Sequence, residues 1–99
     1  MSTTVADLVA RALAAFDVLV TTAEPVSDEF QYVTDLTTVW GARLNAVAAA
    51  RGPEEAPADA DAAIDALAAE AARITDPHRA IDWLSTVPQI ALAALGEAA

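Results

Sequence analysis

The chain contains no cysteine and no lysine, a single histidine and only three glycines. Without cysteine there is no disulfide, no thiolate zinc site and no cysteine nucleophile. One histidine, His78, cannot by itself build a multi-histidine zinc or haem site. Glycine at positions 41, 52 and 96 alone cannot form a glycine-rich phosphate loop. Long uninterrupted apolar runs are also missing. The most apolar stretch, residues 5–20, is broken by Asp7, Arg11 and Asp17, which a membrane span does not readily tolerate. The opening Met-Ser-Thr-Thr lacks the basic region of a secretory signal, so the expected location is cytoplasmic, with no membrane contact.

Positive charge is scarce. Five arginines face 15 acids, for a formal net charge of -10. Such a surface repels phosphate backbones and anionic membranes, so direct nucleic-acid binding is not expected. It suits a basic protein partner, and it is compatible with mimicry of DNA. Its simplest role is to keep an apolar chain soluble.

Apolar residues make up 56% of the chain, too many for intrinsic disorder, but 27 of them are alanine. Alanine favours helix and buries little surface. Valine, leucine and isoleucine, with Phe16, Phe30, Tyr32, Trp40 and Trp83, must therefore supply most of the core, while alanine lets helices approach closely.

Apolar period and punctuation predict four helices, at about 4–22, 28–51, 60–75 and 77–95, in one domain spanning 1–99. In the first, Val5, Leu8, Val9, Ala12, Leu13, Phe16, Leu19 and Val20 recur at spacings of three and four. Thr4 and Asp7 have capping-box spacing, and Asp7 and Arg11 form an i,i+4 pair. Pro25 ends the first connection, and Ser27 caps the second helix. There Phe30, Val33, Thr37, Trp40, Leu44 and Val47 make the stripe, broadened by Leu36 and Val39. Gly41 is read as allowing close packing beside Trp40. Gly52-Pro53 stops that helix and opens an exposed, mobile loop at 52–58. The third helix turns Ile64, Leu67, Ala71 and Ile74 inward. Asp76 caps the fourth, with Pro77 in its first position, and its apolar residues are Ile81, Trp83, Leu84, Val87, Ile90, Leu92 and Leu95. Pro88 inside it removes one backbone bond and predicts a kink or restart.

Short connections between such helices give an up-down-up-down antiparallel four-helix bundle with consecutive helices as neighbours. A dimer of long hairpins is the competing arrangement.

Chemically capable residues fall into two clusters. On the fourth helix, His78 and Asp82 lie one turn apart, as do Arg79 and Trp83. The first pair could orient an imidazole, and the second could stack a guanidinium on an indole. On the second helix, Tyr32, Asp35, Trp40 and Arg43 are the candidates. A carboxylate metal centre between paired helices needs inward glutamates at one-turn spacing. Glu29 and Glu70 are alone on their helices, and no Glu-x-x-Glu or Glu-x-x-His occurs. Ser85 lies seven residues after His78, about 10 Å along a helix and too far for activation by it. No cofactor is expected.

Three functions compete on this reading. The first is a non-enzymatic protein-interaction, accessory or regulatory module that binds a partner or a second copy, giving a homodimer. The second is a small-molecule-binding bundle or enzyme with a pocket at the His78, Arg79 and Trp83 helix start. The third is an acidic DNA-mimic inhibitor.

Overall fold

A computed structural model describes residues 3–97 as four helices. These are α1 (Val5–Val20), α2 (Asp28–Arg51), α3 (Ala60–Ala72) and α4 (Pro77–Ala94), and they pack into a bundle of 41 × 23 × 21 Å. The caps form where the polar residues stand. Asp7 N–H donates to Thr4 Oγ1 at 3.2 Å while Thr4 N–H donates to Asp7 Oδ2, closing a capping box. Ser27 Oγ accepts from Phe30 N–H, and Asp76 Oδ1 accepts from His78 N–H. At the far end of α4, Gly96 takes a φ of 87°. Glu97 N–H then reaches Leu92 O and Gly96 N–H reaches Ala93 O, a Schellman stop.

Chain direction alternates along the sequence. Thr3 and Arg11 bond to Asp61, so α1 and α3 start at the same end. Glu29 faces His78, and Arg51 pairs with Glu97, so α2 and α4 run together from the opposite end. Neighbour order is not sequential, however. The helices are arranged α1–α2–α4–α3 around the bundle, and no Cα pair within 8 Å joins α2 to α3. The expectation that all consecutive helices pack side by side therefore fails for that pair. After α2 the chain crosses a diagonal.

This crossing explains the loop at 52–58. Passing over the start of α1, it accepts Val5 N–H at Glu54 O (3.0 Å) and Ala6 N–H at Gly52 O (3.1 Å). Ala56 N–H donates to Thr3 O, and Thr4 pairs with Glu55 in an isolated antiparallel bridge. Pro53, Glu54, Glu55, Pro57 and Ala58 have exposed side chains, but Gly52 is buried and Ala56 half-buried. The segment is tied down, not free, because α1 would otherwise leave its first N–H groups unpaired.

The core holds Leu8, Leu19, Leu44, Ile64, Leu84 and Leu95, all fully buried, together with Val5, Val9 and Val33. Phe16 and Trp83 meet edge to face, with centroids 6.0 Å apart. Buried Ala12, Ala60, Ala71, Ala80 and Ala91 keep the backbones close. Several expectations need correction. α3 ends at Ala72, although Ile74 beyond it is still buried. Of the kink or restart expected at Pro88, the restart does not occur: α4 continues through it as one helix, with the ring buried. Arg11 does not pair with Asp7 but crosses to Asp61 and Asp65 on α3. A methyl group at Gly41 would sit 3.5 Å from Leu13 Cδ2, ordinary contact, so packing does not require glycine there.

Candidate functional site

Two of the five arginines are committed to ion pairs. Arg11 holds Asp61 and Asp65, and Arg51 holds Glu54 and Glu97. The hydrogen bond from Arg11, then that from Thr3, keeps the Asp61 carboxyl below its usual range. Hydrogen bonds to Asp61 and to Glu97, respectively, push the Arg11 and Arg51 guanidinia above theirs. The other three arginines mark the surfaces of interest.

Arg79 lines an open cleft of about 580 Å³ between α3 and α4. Ile74, Trp83 and Val87 supply its apolar lining, and Glu70, Arg73, Asp82 and Thr86 its polar lining. The cleft thus carries two cations and two carboxylates, which leaves it electrically balanced. Trp83 is buried, and its Nε1–H has no acceptor among the described residues. The anticipated stack of Arg79 on Trp83 is absent among the described residues, because the indole turns into the core against Phe16. His78 does not join the cleft. Its side chain is 74% exposed, and Nε2 lies 3.9 Å from Glu29 Oε1 on α2 in place of the expected Asp82. Ser85 Oγ donates to Ile81 O, the carbonyl one turn back on its own helix.

Tyr32, Asp35, Trp40 and Arg43 occupy the other surface. Tyr32 and Asp35 line a shallow groove of about 190 Å³ with Leu36 and Val39. Tyr32 is 57% exposed and Val39 58%. The Arg43 guanidinium lies over the Trp40 ring, 5.0 Å from its centroid. Arg43 also borders a second groove of about 250 Å³ with Ala46, Val47, Ala50, Leu92 and Glu97, where α2 meets α4. Among the described residues, Asp35 accepts a side-chain hydrogen bond only from Gln31 Nε2 on its own helix, at 2.9 Å.

The candidates therefore divide. Arg79, Asp82 and Trp83 share the α3–α4 cleft, the four α2 residues share an outer face, and His78 stands apart. Of the two residues read as broadening the inward stripe, Leu36 is half-buried and packs against the core while also edging the groove, and Val39 alone belongs to the outer face. Residues 32, 36, 39, 43, 46 and 50 are spaced alternately four and three, so a second stripe was readable. It is masked because Val33, Leu44 and Val47 form the inward stripe on the same helix. Arg73 and Glu70 reach the cleft wall through the way α3 meets α4.

Comparison of the chain with protein-family models, with curated proteins and with solved structures finds no match. Among the described residues, no group of three or more metal-ligating side chains comes together. No helix there is long and apolar enough to cross a membrane.

Proposed function

We propose that this chain is a non-enzymatic protein-interaction module that docks its partner on the outer face of α2. One observation carries the reading. Tyr32 and Val39 stay more than half exposed on the longest helix, in one groove with Leu36 and next to the Trp40–Arg43 stack. Fully burying an exposed valine is worth about 1.5–3 kcal/mol, and Val39, 58% exposed, retains roughly half of that for a partner. Tyrosine, tryptophan and arginine are also the side chains that most often dominate binding energy. A helix held on two sides by α1 and α4 presents them without ordering cost. The dispersed placement of His78, Asp82 and Ser85 supports a non-catalytic role.

The test is co-purification with the intact chain and two variants. Partner binding should be lost with Val39→Glu and kept with Arg79→Ala. Equal binding by both variants rejects the α2 face.

A second reading has its own observation, the α3–α4 cleft with Arg79, Asp82 and Trp83 on one wall. Its balanced charges and apolar lining suit a small zwitterionic or polar–apolar molecule. Ligand-induced thermal stabilisation across a compound panel, lost in Arg79→Ala, is its signature. A DNA mimic, the third reading, needs carboxylates in a row along one surface, and four of the 15 acids, Asp61, Asp65, Glu54 and Glu97, are drawn into pairs with Arg11 and Arg51.

A further inference from the structure

We infer that the partner covering the α2 face is a second copy of this chain, paired antiparallel about a two-fold axis at Val39. The inference rests on the reading of that face as an interaction surface and adds its occupant. Three observations on α2 point to self-pairing. The first is local neutrality. Although the chain carries a net charge of -10, residues 32–50 contain one acid, Asp35, and one base, Arg43. Glu97 borders the strip beside Ala46 and Ala50 but is paired with Arg51, so a second acidic copy can approach with Asp35 as the strip's one unneutralised carboxylate.

The second observation is register. Asp35 and Arg43 lie equally far on either side of Val39, about 6 Å along the axis in each direction. An antiparallel partner centred on Val39 brings its Arg43 level with Asp35, and the symmetry repeats the pair. Arg43 makes no ion pair within the chain among the described residues, and Asp35 meets only Gln31. Arg43 and Asp35 stand about 80° apart around the helix, so to meet Asp35 of the copy the arginine side chain leaves the Trp40 ring and crosses the seam. Both charges are thus available.

The third is size. Bulk sits in the first half of the stripe, at Tyr32 and Leu36, and alanine in the second, at Ala46 and Ala50, all but Leu36 exposed. Reversing one helix against its copy lays Tyr32 over the partner's alanine end, so large side chains meet small ones. A parallel pairing would set bulk against bulk and leave a gap between the alanines. The four-three spacing is that of helices packed at a shallow angle along their length.

The absence of cysteine makes a direct test clean. Val39→Cys places a lone thiol on the axis, where it meets its own copy within disulfide reach, a Cα separation under about 7 Å. Under mild oxidation this variant should form a covalent dimer. Val18→Cys, 46% exposed on α1, should not do so at a comparable rate. In sedimentation equilibrium on uncrosslinked protein, Asp35→Arg and Arg43→Asp should each weaken the dimer by about tenfold or more. The double reversal restores opposite charges across the axis and should return the affinity to within about threefold of the parent. Circular dichroism confirms that each variant stays helical.

Equal crosslinking of Val39→Cys and Val18→Cys overturns the pairing, as does a double variant no better than the singles. A parent chain that is monomeric throughout overturns it too. If that monomer still loses another protein on Val39→Glu, the self-pairing alone has failed. If a dimer forms but ignores Val39→Glu, the pairing on α2 has failed, and the α2 face fails with it only if co-purification of other proteins is also unchanged in Val39→Glu.

Discussion

A methyl group at Gly41 would touch Leu13 Cδ2 at 3.5 Å, whereas one at Gly52 would collide with the Ala48 carbonyl oxygen and press on Ala6. The two substitutions should therefore move stability in opposite directions. Gly41→Ala removes a helix-interior glycine without a clash and should gain about 0.5–1 kcal/mol. Gly52→Ala should lose about 1–3 kcal/mol as the crossing shifts. Urea midpoints for both variants decide the matter, and a gain for Gly52→Ala would contradict the described packing. The Asp61 carboxyl gives a pH prediction. Its folded pKa lies below the ordinary value of 3.8, so its stabilisation is fully present above that value and fades as pH falls through the lower folded one. The stability difference between the parent and Asp61→Asn should be flat from neutral pH down to about 4 and shrink below it. A difference that grows on acidification would show that Arg11 does not hold this group. The partners of Arg11 were not legible in the sequence. Asp7, one turn away, is the obvious candidate, but the capping box engages it and α3 offers two carboxylates instead.

At the scale of elements, all three side-chain caps at Thr4, Ser27 and Asp76 were legible, because each uses a polar residue next to the first turn. The docking of residues 52–56 on α1 was not. It is made by backbone groups, which leave no trace in residue type, and the Gly-Pro-Glu-Glu-Ala-Pro composition reads as an ordinary loop. Hydrogen exchange tests it directly. The Val5, Ala6 and Ala56 amides should exchange slowly, like interior helix amides, although they stand at a helix start and in a loop. Exchange of Ala56 at unprotected rates would contradict the bridge. α2 was half legible. Its inward series was recognised, and Leu36 does pack against the core, but Val39 on a second face was added to it as breadth. A periodic pattern gives spacing and not which of two stripes finds neighbours; α1 and α4 decide that by position.

For the whole molecule, helix number and alternating direction follow from the pattern, while the order α1–α2–α4–α3 does not. Either neighbour order buries the same stripes, and the choice rests on where the crossing can be tied. The order has a functional consequence. It sets α2 between α1 and α4 and leaves Tyr32 and Val39 exposed along its outer side. Because Val39 contributes little to the monomer, Val39→Glu should change the unfolding free energy by no more than about 0.5 kcal/mol. Val33→Glu, at a fully buried site one turn from the start of the helix, should prevent folding. Those two variants separate a surface kept for binding from one kept for the fold.

The most direct measurement is sedimentation equilibrium of the parent and Val39→Glu over a wide concentration series. The account predicts that the parent mass rises from 10.2 kDa towards twice that value while the folded Val39→Glu chain remains at 10.2 kDa. Superimposable curves for the two proteins, whether both monomeric or both dimeric, would contradict it.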